Sequence, residues 1–276
     1  MPAVGYGVGI IGGHFARLWN VVRNTTAFGN YRRAERQKKM QIEPNTFICA
    51  DSIELLREIK DKAFDLCLTD PPYGIQLKMQ RFTKPGRPNS YSAPIKHKGF
   101  DDSVRPSRQV FIDLFRVSQN QIIWGATNFY DLLPLNDSWI FWNKMNGEGS
   151  HFADGEFAFT SFSCSSKMFS CSQHHGTNGG KNRVHPTQKP VALFVWCLIN
   201  YSKPGDLIID PFCGSGTTAI ACHKTGRKFL CIDKDEEYIK IAQQRYADLI
   251  AQQDLFRENQ DGAQNTSEGR GTASNS

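Results

Sequence analysis

Asp206-Leu207-Ile208-Ile209-Asp210-Pro211-Phe212-Cys213-Gly214-Ser215-Gly216-Thr217-Thr218 is the stretch from which the fold is read. Leu207 to Ile209 is a short apolar run between two acids, the most strand-like segment of the chain. Gly214 and Gly216 let the backbone turn tightly and come close to a ligand. A helix running to about Lys224 follows, and its first N–H groups point back at the turn. Arg227 to Ile232 is the next strand, and it ends in Asp233. A carboxylate at that place can accept hydrogen bonds from ribose hydroxyls. Strand, glycine turn, helix, strand and acid form one unit of an open sheet whose strands run parallel.

The unit is not a dinucleotide fingerprint, because position 219 is Ala where a third glycine would stand. No Gly-x-x-x-x-Gly-Lys occurs either. Both absences disfavour ligands held by a pyrophosphate and suit a nucleoside without one. A lone Gly-x-Gly is as well explained by a plain tight turn. Acids at two strand ends, Asp210 and Asp233, weigh toward a ligand site.

Working outward, Phe64 to Leu68 reads as another buried strand, and it runs into Thr69-Asp70-Pro71-Pro72-Tyr73-Gly74. Chemistry in open α/β sheets sits at such strand ends. Two prolines remove two N–H donors and stiffen the loop, leaving its carbonyls free to accept. A carboxylate, a rigid carbonyl and an aromatic ring within four residues can grip a flat group bearing an NH2. A Pro-rich turn capped by Asp is the plain alternative. Average residue usage gives this tetrapeptide a chance on the order of one in a thousand of arising in such a chain.

The remaining pattern alternates strands with helices. A first strand lies within Gln41–Cys49, and Asp51 after it is an N-cap, a ligand-facing carboxylate, or both. Helical spacing runs from Arg108 to Val117, Val191 to Tyr201 and Asp235 to about Gln253, with a short helix over Asn128–Leu133. Gln121–Gly125 and Ser138–Trp142 read as strands, and Glu156–Phe162 as a further one of edge or hairpin type. Residues 163–184 show no periodicity. The fold class expected is α/β: a Rossmann-like, mostly parallel sheet with helices on both faces.

The 276 residues suit one large α/β domain or two small ones. No apolar run reaches the length of a membrane span, and the mean hydropathy is −0.46. Eight scattered cysteines fit reduced thiols in a cytoplasmic setting better than a disulfide framework. Cys164, Cys171, His174 and His175 do not have the spacing of a zinc site, so no metal is expected.

The net charge of +6 is local. Residues 1–40 hold seven Arg or Lys against Glu35 alone, so the remainder of the chain is neutral. Within that remainder, residues 78–108 hold eight bases against Asp101 and Asp102. A basic stretch beside a candidate catalytic loop suggests a polyanion. Lys84, Arg87, Lys96 and Lys98 are its candidate phosphate contacts. Residues 1–40 read as a basic extension, either a flexible arm or a product of start-site choice. Residues 41–255 read as the catalytic domain, and 256–276 as a disordered polar tail.

A nucleoside-type ligand and an amine grip together point to S-adenosylmethionine and methyl transfer to an amino group. At this point the chain resembles the amino-methylating DNA methyltransferases. Asp70-Pro71-Pro72-Tyr73 is similar to their catalytic loop, and Asp210-Pro211-Phe212-x-Gly214-x-Gly216 to their cofactor loop. His185-Pro186-Thr187-Gln188-Lys189-Pro190 is similar to a segment that precedes the cofactor loop in one subclass. Catalytic loop first and cofactor loop second resembles the circularly permuted β group. The likeness covers roughly residues 45–250.

The resemblance implies a double-stranded DNA substrate, S-adenosylmethionine as cofactor, and transfer to adenine N6 of a flipped-out base. Cytosine N4 is the alternative on the same scaffold, where Ser often replaces the Asp. Asp70, Pro71, Pro72 and Tyr73 would be catalytic, with Asp70 and the Pro71 carbonyl accepting the amine N–H groups and Tyr73 stacking on the base. Asp51, Thr187, Gln188, Lys189, Asp210, Phe212, Gly214, Gly216 and Asp233 would form the cofactor site. Target recognition would fall in residues 143–184. C5-cytosine chemistry is disfavoured, because no Pro-Cys pair supplies a nucleophile. Protein-glutamine methylation is disfavoured too, because its loop carries Asn and its cofactor loop comes first. The oligomeric state, monomer or homodimer, is left open.

Overall fold

A computed structural model describes residues 40–74, 104–146, 153–172 and 188–268. Its elements belong to one unit that begins at Gln41. The sequence-based readings of the 1–39 extension, of Lys84, Arg87, Lys96 and Lys98, of Thr187, and of His174 and His175 fall outside the described residues.

The strands are β1 (Thr46–Cys49), β2 (Phe64–Thr69), β3 (Ser118–Trp124), β4 (Trp139–Asn143), β5 (Gly155–Thr160), β6 (Lys167–Ser170), β7 (Leu207–Asp210) and β8 (Lys228–Asp233). The central strands form from apolar runs rich in β-branched and aromatic residues and are largely buried, while β1 and β6 at the ends of the sheet are more exposed. Among the described residues they make one eight-stranded sheet in the order β1-β8-β7-β2-β3-β5-β4-β6. The pairs β1–β8, β8–β7, β7–β2, β2–β3 and β4–β6 are parallel. β5 lies antiparallel to both β3 and β4, so it alone runs against the sheet. The expected mostly parallel sheet is observed.

Among the described residues five α-helices accompany it: α1 (Ser52–Glu58), α2 (Arg108–Val117), α3 (Val191–Tyr201), α4 (Thr217–Thr225) and α5 (Glu236–Glu268). α1 packs on α2, while α3 packs on α4 and α4 on α5. Alternation along the strands serves two apolar layers. Leu66, Leu68, Ile122, Trp124, Ile208, Phe229 and Cys231 join Leu193, Cys197, Ala219 and Ile239 in one cluster. Their strand neighbours Cys67, Ile123, Ile209, Leu230 and Ile232 are buried too. Arg116 fastens α2 to the end of α1: it donates to Asp113 at 2.9 Å, Asp61 at 2.9 Å and the Ile59 carbonyl at 2.7 Å. All eight cysteines are free thiols, and six are buried.

Four readings are narrowed or changed by the structure. β5, read as an edge or hairpin strand, is the antiparallel hairpin partner of β4 and not an edge, because it also pairs with β3. β6 lies in the Ser-rich stretch read as aperiodic; it is an edge strand with one paired side and exposed residues, so alternation is weak. β5 and β6 together take up part of the interval 143–184 assigned to target recognition. The helix expected over Asn128–Leu133 is a 3-10 turn, Ala126–Asn128, followed by tight turns. α5 continues to Glu268 through residues read as a disordered tail. Leu255, Arg257 and Glu258 are good helix formers that extend a helix already nucleated on the sheet.

Leu66 is fully buried and Leu135 is 91% exposed. Leu66→Ala is expected to lower stability by about 2–5 kcal/mol, and Leu135→Ser to leave it within about 0.5 kcal/mol. Urea unfolding measures both, and equal effects would contradict the described packing.

Candidate active site

Parallel pairing decides where the functional loops emerge. β1, β8, β7 and β2 are consecutive neighbours and run the same way. Their C-terminal ends therefore share one edge of the sheet. Asp51, Asp233, the Pro211–Gly216 loop and Asp70 leave that edge side by side. Both sheet faces are covered, so the edge is where a ligand can meet the backbone.

Asp210 joins the two loops. It is buried, and it accepts hydrogen bonds from Thr69 Oγ1 at 2.8 Å, from the Phe212 backbone N–H at 3.1 Å and from Thr218 Oγ1. Thr69 immediately precedes Asp70, and Thr218 lies in the first turn of α4. Among the described residues its oxygens thus serve protein donors, and it shapes the site from beneath. Burial pushes its carboxyl up, against the hydrogen bonds from Thr218 and Thr69, to about 7.

The glycine loop is tightly held. Gly216, at φ +78°, is the N-cap of α4, and no side chain caps that helix. A Cβ at Gly216 would lie 2.7 Å from the Ala242 Cβ, so helix α5 can pack this closely only on glycine. Arg245 on α5 donates to the Ser215 carbonyl and, at 2.9 Å, to the Ser215 hydroxyl. Asp233 accepts the Gly214 N–H at 2.9 Å through one oxygen and the Asp235 N–H at 2.9 Å through the other. Burial raises its carboxyl, partly opposed by those N–H groups. Asp51 accepts the Ile53 N–H at 2.7 Å, which is the N-cap form of the two readings. Phe212 is half-buried in this loop. Asp51, Asp210, Phe212, Gly214, Gly216 and Asp233, expected to hold a cofactor, thus lie along one edge of the sheet, and the acids Asp51 and Asp233 and the uncapped start of α4 suit a ligand with hydroxyls.

Around Asp70 the structure builds a cluster only partly foreseen. The Lys189 ammonium donates to Asp70 Oδ2 at 2.7 Å and to the Tyr73 hydroxyl at 3.0 Å, and pairs with Glu156 Oε1 at 2.8 Å. The Tyr73 hydroxyl lies 2.7 Å from Asp70 Oδ1 and 2.5 Å from Glu156 Oε1. Lys144 pairs with the other oxygen of Glu156 at 3.1 Å. Side-chain exposure is 19% at Asp70, 15% at Glu156 and 7% at Lys189, so charges meet here with little water.

The two carboxyls are driven apart. Burial raises Asp70 and the Glu156 charge adds to the rise, with Lys189 and Tyr73 opposing. Burial also acts on Glu156, but the ammoniums of Lys189 and Lys144 outweigh it and hold that carboxyl at about 2. Burial lowers Lys189, and Asp70 and Glu156 more than reverse this. The Tyr73 phenol is pushed well up by burial and by both carboxylates. Pairs of carboxyls separated in this way mark acid–base division in a site.

Two placements depart from expectation. Lys189, expected in the cofactor pocket, reaches the Asp70 loop with its ammonium, while its carbonyl accepts from Thr217 Oγ1 at 3.4 Å at the start of α4. Tyr73, expected as an exposed stacking ring, lies edge-on to Phe129 at 6.0 Å and against Gly125. A Cβ at Gly125 would sit 2.1 Å from the Tyr73 ring, so the glycine leaves room for that ring. Glu156 is absent from the sequence-based site, because an edge or hairpin strand gives no reason for a buried acid. Its phase with buried Ala158, opposite exposed Phe157, was the available signal.

Residues 121–244 match the family model described as DNA methylase. That span takes in Glu156, Lys189, the glycine loop and Asp233. Over 250 residues the chain is 26% identical to the Type II methyltransferase M.HinfI of Haemophilus influenzae, covering 74% of this chain and 69% of that one. It is 28% identical over 242 residues to the Type II methyltransferase M.HpaI of Haemophilus parainfluenzae, covering 72% and 73%. The chain is thus similar to amino-methylating DNA methyltransferases, both through the matched span and through these relatives. The solved PvuII DNA methyltransferase (cytosine-N4-specific) shares the methyltransferase fold at a TM-score of 0.51 and 15% identity, over 75% of this chain and 87% of that one. The matched span runs from β3 into α5 and includes the glycine loop, while the Asp70 loop precedes it.

Folded Asp210 keeps its proton up to about 7, whereas the unfolded chain releases it near 3.8. Stability from this group is therefore present below 3.8 and is lost as pH rises to about 7. The unfolding free energy of the parent protein minus that of Asp210→Asn is expected to fall across that window in urea titrations. A flat difference would contradict a neutral buried Asp210.

Proposed function

We propose that this methyltransferase moves a methyl group to the N6 amino group of adenine in double-stranded DNA, on a base turned out of the helix. The observation that carries the reading is the Asp210 bridge. It fixes the Asp70 carboxylate beside the glycine loop, so an amine gripped by one faces a ligand held by the other.

S-adenosylmethionine, the methyl donor of this family, supplies a methyl group activated on a sulfonium. The glycine loop, Asp233 and Asp51 would hold its nucleoside part, with Phe212 and Gln188 alongside. Asp70 and the Pro71 carbonyl would each accept one N–H of the base amine. That orients the amine lone pair, which conjugation with the ring otherwise makes a poor nucleophile, in line with the methyl group. The Asp70 charge offsets the positive charge that develops on nitrogen. Pro72 keeps the loop rigid, and the Tyr73 ring borders the place of the base. Lys84, Arg87, Lys96 and Lys98 would meet the phosphates beside the flipped nucleotide, which position the duplex without reading it.

An Asp at position 70 favours adenine over cytosine. Tritiated S-adenosylmethionine with DNA from a methylation-free host, then nucleoside analysis, is expected to place the label in N6-methyladenine. Label in N4-methylcytosine would overturn the base assignment, and unlabelled DNA would overturn the activity. Asp70→Ala is expected to lower turnover by at least about a hundredfold, the scale of losing one transition-state contact, with cofactor affinity retained. Unchanged turnover would remove Asp70 from the chemistry.

A further inference from the structure

The Asp70 cluster holds one ammonium and one phenol between two carboxylates. Lys189 has three N–H bonds and three acceptors at 2.7, 2.8 and 3.0 Å: Asp70, Glu156 and the Tyr73 oxygen. The Tyr73 hydroxyl has one proton, with Asp70 Oδ1 at 2.7 Å and Glu156 Oε1 at 2.5 Å. Both donors are thus shared. Glu156 also has a cation of its own in Lys144 at 3.1 Å, on the oxygen that faces away from Lys189. Glu156 sits on β5, distant in sequence from either loop, and the methyl-transfer scheme above does not use it.

Sharing has a chemical consequence. When the amine nitrogen forms its bond to the methyl carbon, the carbon–sulfur pair returns to sulfur, and nitrogen carries a positive charge and an extra proton. That proton must leave for the neutral methylamino product, and the Asp70 carboxylate already accepts an N–H of the same nitrogen. A carboxylate that owned both Lys189 and Tyr73 outright would be a poor acceptor.

We propose that Glu156 is a positioning residue of the methyl transfer: by drawing Lys189 and Tyr73 toward itself, it keeps Asp70 able to bind the amine N–H and to take up the proton the amine releases. The inference rests on the role given to Asp70 above. The charged and titratable groups facing Asp70 among the described residues are Lys189, Tyr73 and Glu156, with Asp210 beneath the loop and Lys144 beyond Glu156. The direction of the Asp70 and Glu156 carboxyls, one raised and the other held low, agrees with this division.

The sign of the effect follows. Glu156→Gln removes a negative charge and leaves Lys189 wholly to Asp70, so the Asp70 carboxyl should ionise at lower pH. The acid limb of kcat, read by label transfer to DNA, should move down in pH, and kcat at neutral pH should fall about tenfold, part of the roughly hundredfold or more that losing a general acid–base group outright removes. Cofactor affinity should stay unchanged. Glu156→Asp keeps the charge and should return the limb toward its original pH even at reduced rate. A second readout needs no turnover: the 13C carboxyl resonance of Asp70 in aspartate-labelled protein, assigned by its loss in Asp70→Asn, should titrate at lower pH in Glu156→Gln. Should Glu156→Gln fail to fold, Lys144→Met tests the same field with opposite sign, moving the Asp70 titration up.

A limb and resonance unmoved in Glu156→Gln, or moved equally in Glu156→Asp, would overturn the inference and leave Glu156 a packing residue. Absence of label transfer by the parent protein would instead overturn the proposed function. With Lys144→Met, an Asp70 titration that does not move up overturns the inference.

Discussion

The Asp210 carboxylate is the point on which the site depends. It ties the residue before Asp70 to the first turn of α4 and to the backbone of the glycine loop. Two loops distant in sequence thereby become one rigid assembly. Burying a carboxyl is costly unless its oxygens are satisfied. Here three protein donors satisfy it, and its raised carboxyl lowers the charge that must be buried. Because β2 and β7 are adjacent and parallel, this bond spans neighbouring strand ends, a length that hydrogen bonds can bridge.

Around this pin the site separates two electrostatic tasks. The glycine loop presents backbone groups and the strand-end acid Asp233, while the Asp70 loop sits in a nearly neutral set of two carboxylates and two ammoniums. Removing any one member leaves an uncompensated buried charge, which is expensive in a site this dry. The same dryness makes small shifts of a shared donor matter. Lys189 and Tyr73 are each divided between Asp70 and Glu156, so the donors around Asp70 are shared with a residue on another strand.

Much of the fold was legible in the chain. The α2 range from Arg108 to Val117 and the α3 range from Val191 to Tyr201 coincide with their apolar spacing, because one face of each helix is buried against a neighbour. The β7–α4–β8 unit was readable because an apolar strand run, two glycines and two acids occur at fixed local intervals. β6 and the 3-10 turn at Ala126–Asn128 were not, since an edge strand and a short turn owe their form to distant partners. The continuation of α5 escaped notice for a related reason: polar residues carry no periodic signal, although helix once nucleated propagates at little cost.

The candidate site divides along the same line. The sequence by itself determined which groups are available: an acid, two prolines and a tyrosine on one loop, two glycines and strand-end acids on another, and the amino-methylating family they resemble. Local composition suffices there, because turns and strand ends are governed by neighbours along the chain. Only the tertiary structure decided which charges meet. Strand order placed β5 where Glu156 reaches Lys189 and Tyr73, turned the Tyr73 ring onto Gly125, and directed Asp210 inward to join the loops. Those are contacts between residues up to 141 positions apart. Coulomb and hydrogen-bond energies depend on distance in space, and no pattern along the chain encodes it.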